Sequence, residues 1–269
     1  MKEKIVVLTI VGALWTSGAV LGTAIRPGFD SLSLPKRDDA WSPATPMGFD
    51  LNFFGIVYSS LYVNTNGNVT FEAPNPAGTP FGLTSKVGTA IIAPFFADVD
   101  TRATGSDVVR YGPGTVDGRN AFGADWIDVG YFWQHADKLN RFQLILIDRS
   151  DRQPGDVDIE FNYDRILWES GDLSDGAGGL GGKSARAGYS NGTGRPGTSY
   201  ELPGSGLPGY FLDGSPTGLI HHSLNSPVSG RYVFSIPHSQ EPVIPAPAAL
   251  VLGGIGLTLV GCLRKRGTF

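Results

Sequence analysis

The feature that most constrains this chain is a period of two that keeps returning along its middle, while a period of 3.6 does not. Between residues 25 and 244, apolar and polar residues alternate in short runs bounded by Gly, Pro, Asn and Asp, and no stretch repeats apolar residues at helical spacing. In "GDVDIEFNYDRILW", Val157, Ile159, Phe161 and Tyr163 alternate with Asp156, Asp158, Glu160 and Asn162, which places the two sets on opposite faces of an extended chain. "DWIDVGYFW" sets Ile127, Val129 and Tyr131 against Asp128 and Gly130 in the same way. "RFQLILIDR" is apolar almost throughout, as a strand covered on both faces should be. "SSLYVNTNGNVTFEA" carries Asn66-Gly67 between two such runs. Asn-Gly suits a two-residue type I′ turn, whose central residues both need positive φ, and that register pairs Tyr62 with Phe71. Late strands are expected at "GYFLDG" and "GRYVFSIP". With 38 Gly and 19 Pro and no collagen period, turns are many. The expected fold class is all-β, an antiparallel β-sandwich.

The two ends differ from this body. Residues 1–24 open with Lys2 and Lys4, continue with an apolar stretch from Ile5 to Trp15, and finish with small residues at Gly22 and Ala24. They are expected to form a signal peptide helix cleaved near Ala19 or Ala24, because the apolar stretch falls short of the about 20 residues a spanning helix needs. At the other end residues 238–247 form a linker, and Ala248 to Leu263 is uncharged and apolar until Arg264, Lys265 and Arg266. As a helix those 16 residues span about 24 Å, so residues 248–266 are expected to be a transmembrane helix with a cytoplasmic basic stop. This tail resembles the PEP-CTERM class of bacterial sorting signals, with Pro245 and Pro247 in "IPAPA", a short Gly-rich helix and the Arg264, Lys265, Arg266 cluster; Ala246 stands where Glu is usual. The resemblance implies export, membrane arrest, cleavage near the Pro motif by an exosortase-type transpeptidase, and release to the cell surface or matrix. A permanent C-terminal anchor is the alternative.

The chain's one cysteine, Cys262, lies in that tail, so the body can form no disulfide of its own. Residues 1–24 carry a net +1 and residues 245–269 a net +3 against −4 for the whole chain, which leaves the body at −8. An acidic body disfavours nucleic acid as a partner and suits cations or basic surfaces.

The order and spacing of "IIAPFFADVDTR", "DVVRYG", "DWIDVGYFW", "NRFQLILIDRSD", "DVDIEFNYDRILW", "ARAGYSNGTG" and "SYELPGSG" resemble the nidogen-like extracellular domain. "FFGIVYSSLYVNTNGNVTF" is similar to the strand and hairpin that commonly precede its core. The likeness covers about Phe49 to Ser205, and the domain is taken as residues 49–237 behind an N-terminal extension, 25–48. "WIDVGYFW" departs from a more usual Thr-Trp pair, and the Cys residues of animal members are missing. The resemblance implies an extracellular matrix or cell-matrix adhesion role without enzymatic activity.

"ADVDTR" carries the sharpest question about chemistry. In an extended chain Asp98, Asp100 and Arg102 project together, with neighbours about 6.6 Å apart. The default reading is a strand-end ladder in which Arg102 pairs an aspartate. The alternative is a calcium site at Asp98 and Asp100, since hard cations take carboxylate oxygens; a glycosidase carboxylate pair is a weaker third reading. "AGGLGGKS" and "GAGGLG" mimic phosphate-binding loops but lack the strand before and helix after. "GYSNG" around Ser190 lacks the helix of a nucleophile elbow, and His221 and His222 have no nearby third ligand. Among Trp41, Trp126, Trp133 and Trp168, core packing is the default, and Trp133, beside Gln134 and His135, is the first candidate for exposure.

These readings combine into a non-enzymatic, exported, cell-surface or extracellular matrix protein that binds matrix or polysaccharide and is at least transiently anchored in the membrane. No cofactor is expected, with calcium as the alternative. The alternatives are a calcium-dependent carbohydrate-binding module and a carbohydrate-active hydrolase. A deep groove lined by two carboxylates and aromatics would favour the hydrolase.

Overall fold

The computed structural model describes residues 23–236. In chain order the strands are β1 (Leu32–Ser33), β2 (Thr45–Phe53), β3 (Ile56–Asn64), β4 (Asn68–Thr70), β5 (Ile91–Phe96), β6 (Val99–Asp100), β7 (Arg110–Val116), β8 (Arg119–Tyr131), β9 (His135–Asp148), β10 (Val157–Arg165), β11 (Arg186–Ser190), β12 (Ser199–Glu201) and β13 (Arg231–Ile236). Among the described residues the only helical turns are 3-10 turns of three residues, Asp172–Ser174 and Leu219–His221. No helix there is long and apolar enough to cross a membrane. The strands form two antiparallel sheets. One runs β1-β7-β8-β9-β10-β13 with β6 beside β8, and the other β12-β11-β5-β4-β3-β2.

The alternating strands turn one set of side chains into the space between the sheets. Phe95 of β5 meets Phe142 of β9 at 5.1 Å between ring centres, and Trp168 edge-on at 5.7 Å. Trp126 of β8 stacks on Phe142 at 5.2 Å and is fully buried. The polar ends of the large rings bond across the layers. Trp126 Nε1 donates to Thr65 O (2.8 Å), Tyr163 Oη donates to Pro94 O (2.6 Å), and Trp168 Nε1 donates to Val129 O (3.1 Å). Each bond removes the cost of burying a donor and fixes the position of its ring.

The apolar run in β9 is covered on both faces, as its sequence requires. Leu144 and Leu146 join the inter-sheet core, while Ile145 and Ile147 face a second cluster with Phe29, Val116 and Ala121. Phe29 belongs to residues 25–48, so that segment closes the outer face of the larger sheet. The polar face of β10 is also covered. Glu160, only 2% exposed, takes two bonds from the Arg26 guanidinium and an ion pair from Arg231.

Three local expectations change. The Asn66-Gly67 hairpin pairs Tyr62 with Thr70 and Asn64 with Asn68, one residue off the two-residue register, and Phe71 stacks on Tyr58 instead (4.6 Å). The hairpin tip is buried: Asn66 is 1% exposed, and Gly67 (φ +70°) lies so close to Phe95 that a Cβ would sit 1.7 Å from its carbonyl oxygen. Tertiary contact thus selects a three-residue loop with glycine at its left-handed position. The two-residue turn occurs at Asp117-Gly118, where both φ are positive and Val116 pairs with Arg119. In β8 a bulge between Ile127 and Val129 takes Ile127 off the core face and leaves Trp126, Val129 and Tyr131 buried. "GYFLDG" forms turns, because Glu169, fully buried, accepts bonds from Gly209 N and Phe211 N and so occupies the backbone groups a strand would use.

Candidate functional site

The segment from Ala97 to Arg102 leaves the end of β5, crosses to the other sheet as β6 and runs under the turn that joins β8 to β9. Phe132 N donates to Asp98 O (3.0 Å) and Gln134 N to Asp100 Oδ2 (2.9 Å). That seats the Phe132–Gln134 turn directly on the two aspartates. Their side chains then part company.

Asp100 is fully buried and saturated. Arg102 Nε donates to Oδ1 (2.9 Å) and Arg102 Nη2 to Oδ2 (2.6 Å), and Arg102 N adds a bond to Oδ1 (2.9 Å). Burial pushes the Asp100 carboxyl up, but these charge-assisted and backbone bonds win and hold it below the ordinary range. The aspartate that Arg102 pairs is Asp100, whose oxygens are thereby taken, so Asp98 and Asp100 do not act together as a ladder or as one ion site. Arg102 Nη2 also reaches Asp38 Oδ2 at 3.1 Å, and its guanidinium lies 5.8 Å from the Phe132 ring centre.

Asp98 turns toward Asp38 and Asp39 instead. One carboxylate oxygen from each of the three lies within 4.8 Å of the others. Asp98 is 2% exposed, and its Oδ2 has no hydrogen-bond partner; neither has Asp38 Oδ1. Burial first, then the charges of Asp38, Asp39 and Asp100, push Asp98 up to about 7 against the opposing pull of Arg102. Burial and Asp100 push Asp38 up to about 6. Asp39 is exposed, and Asn66 Nδ2 donates to its Oδ1 (2.7 Å). The only local signal of Asp38 and Asp39 in the sequence is their adjacency in "KRDD", which does not say what they meet.

Beside this cluster Trp133 is 63% exposed, as expected, and Trp41 is 47% exposed, whereas Trp126 and Trp168 are core. His135 Nε2 lies 3.1 Å from Asp172 Oδ2, and its ring stacks on Tyr131. The surface at the β8-β9 turn thus combines an exposed indole, a His–Asp pair and the edge of a carboxylate cluster.

The other singled-out residues have structural partners. Ser190 is buried, and its Oγ accepts from Gly192 N (3.1 Å) in a turn after β11. His221 Nε2 and His222 Nε2 each lie within hydrogen-bond distance of a backbone carbonyl, Asp213 O (2.8 Å) and Pro216 O (2.9 Å). Ala177 and Leu180 bridge within a loop, with no helix after it. A concavity of about 610 Å³ along β2 and β3 is lined by residues including Pro46, Phe49, Asp50 and Ser60 and offers one carboxylate.

The described body is all-β, two antiparallel sheets joined by long loops. Residues 59–238 match the nidogen-like domain family, and the chain belongs to it. It is 31% identical to alpha-tectorin of Mus musculus over 224 residues, which is 75% of this chain and 10% of that protein. It is 30% identical to alpha-tectorin of Homo sapiens over 224 residues, with the same shares, and 29% identical to nidogen of Drosophila melanogaster over 243 residues, 81% of this chain and 17% of that protein. The chain therefore spans between 10% and 17% of the length of these curated relatives. No solved structure matches.

Proposed function

We propose that this chain is an exported, non-enzymatic surface or matrix protein whose nidogen-like domain mediates adhesion, and that the β8-β9 turn is its contact surface. The observation that carries the reading is Trp133, a large aromatic left 63% exposed on a turn that Asp98 and Asp100 hold in place. A preorganised aromatic stacks on a sugar ring or a partner's apolar side chain at low entropic cost. The family membership and the likeness to proteins named nidogen and alpha-tectorin support an extracellular setting. The carboxylate cluster beside Trp133 favours calcium-dependent carbohydrate binding as the second reading.

Export and sorting are part of the proposal. Pro245, Pro247, Arg264, Lys265 and Arg266 and nearly all of the signal peptide lie outside the described residues. Ala24 lies within them: it is 2% exposed, its N–H donates to Asp164 Oδ1 (2.8 Å), and its carbonyl accepts from Arg231 Nη2 (2.8 Å). Of the two cleavage positions, Ala19 keeps these contacts.

The test is binding of the full-length chain to panels of polysaccharides and matrix proteins. Trp133→Ala should weaken capture at least tenfold and leave stability within about 0.5 kcal/mol, as for an exposed side chain. Capture by nothing on the panels, or equal capture of the variant, refutes the assignment. Mass spectrometry of surface-extracted protein should find no peptide beyond about Pro247; an intact C-terminus would mean a simple anchor.

A further inference from the structure

We propose that Asp38, Asp39 and Asp98 form a binding site for a hard divalent cation, calcium by preference, which ties the N-terminal segment to the sandwich beneath the β8-β9 turn. The inference stands independently of the adhesion reading.

Two observations carry it. The first is geometric. Oxygens bound to one calcium ion at about 2.4 Å can be no more than about 4.8 Å apart, and one carboxylate oxygen from each of the three residues already lies within 4.8 Å of the others. The second is an unmet electrostatic demand. Asp98 is 98% buried, its Oδ2 has no partner, and the charges that press on it from Asp38, Asp39 and Asp100 are of its own sign. Its surroundings leave the carboxylate little room to turn away. A Cβ on Gly78 would sit 2.5 Å from Oδ1, and one on Gly171 would sit 2.8 Å from Oδ2. A buried charge without partners is costly, and a cation is the partner such a group takes.

The nearby arginine does not meet that demand. Arg102 is committed to Asp100 through both carboxylate oxygens, and its remaining reach goes to Asp38 Oδ2 (3.1 Å). That leaves Asp38 Oδ1, unpartnered, for an ion. Asp100 accordingly serves as the anchor for Arg102 while Asp98 supplies the ligand.

The donor set identifies the ion class. Three carboxylates with no nitrogen or sulfur suit calcium or magnesium over zinc. Calcium accepts irregular sets of six to eight oxygens, whereas magnesium demands near-ideal octahedral geometry. Asp39 is exposed and gives an entry path with room for water ligands, and Asn66 Nδ2 (2.7 Å) orients it from behind. Asn66 Oδ1 in turn accepts from Val99 N (3.0 Å), so the outer partner is itself fixed by the Asp98–Asp100 segment.

The experiment titrates the chelator-treated full-length chain with calcium by calorimetry and melts it with and without the ion. Saturable binding and a melting temperature raised by several degrees at a hundred times Kd are expected, because the ion binds the native state. Asp98→Asn and, separately, the exposed Asp39→Asn should each weaken binding at least tenfold and remove most of the increment. Asp151→Asn, an exposed aspartate elsewhere, should change neither. If Asp98→Asn fails to fold, Asp39→Asn decides. A wild-type melt unmoved by millimolar calcium, or an increment that survives both substitutions, overturns the site. An equal response to magnesium overturns the preference for calcium. A parent chain that binds calcium but is captured by nothing on the panels, or a Trp133→Ala variant captured equally, would tell against the contact surface alone.

Discussion

Gly67→Ala tests whether the buried hairpin tip organises the sandwich. An alanine there must adopt φ +70°, which costs about 1–2 kcal/mol for a residue with a Cβ. Its Cβ would also sit 1.7 Å from Phe95 O and 2.7 Å from Phe95 C. That obstacle is backbone in a fully buried strand, so no side-chain rotation relieves it, and the tip has to retreat by more than about 1 Å to reach tolerable contact. Retreat stretches Phe95 N to Gly67 O (3.3 Å), Trp126 Nε1 to Thr65 O (2.8 Å) and Val99 N to Asn66 Oδ1 (3.0 Å), each worth about 1 kcal/mol. The total is about 4 kcal/mol, a large part of the 5–15 kcal/mol that a domain has. Gly118→Ala is the internal control. Its φ of +77° imposes the same backbone strain, but nothing lies within 4 Å of its Cβ, so about 1 kcal/mol is expected. Urea unfolding of both variants at equal m-values measures the difference. If Gly67→Ala costs no more than Gly118→Ala, the buried-tip argument fails.

Arg102→Ala should destabilise by about 3 kcal/mol in denaturant titrations, because it strands Asp100, which is fully buried, without its cation; a loss under about 1 kcal/mol would show that Gln134 N and water suffice. Asp98→Asn should change the pH dependence. The folded-state value near 7 lies above the unfolded value near 3.9, so the native state binds the extra proton, and calcium-free stability falls as pH rises from about 4 to 7. The asparagine variant should flatten that slope and melt higher than the calcium-free parent at pH 8, whereas parallel curves would remove Asp98 from the account. Glu169→Ala leaves Gly209 N and Phe211 N without their acceptor and should cost about 3 kcal/mol, with faster amide exchange at Phe211; unchanged protection there would mean that the turn holds itself.

Period-two alternation let the sequence alone determine the all-β class and the strands β3, β4, β8, β10 and β13, because the constraint is local: β10 keeps Val157, Ile159, Phe161 and Tyr163 on the core face as read. The two-faced burial of β9 was legible for the same reason, since a strand apolar on both sides has to be covered on both. What covers it was not legible, because Phe29 reaches Ile145 only through space. Register and bulges also escaped. Asn66-Gly67 carries a strong local turn preference, yet contact with Phe95 O reset its loop, while Asp117-Gly118, with open space where a Cβ on Gly118 would be, adopted the turn its residues prefer. The candidate site divides along the same line. Asp100 and Arg102 are two residues apart, and their pairing is local: Arg102 N donates to Asp100 Oδ1 in a turn at the end of β6, which also brings the guanidinium onto the carboxylate. Asp98 meets Asp38 and Asp39 only because the chain between them folds into the hairpin that brings Asn66 against both segments. Alternation along a strand is short-range and survives in one dimension; the proximity of residues far apart in sequence is created by packing, and only the tertiary structure decided it.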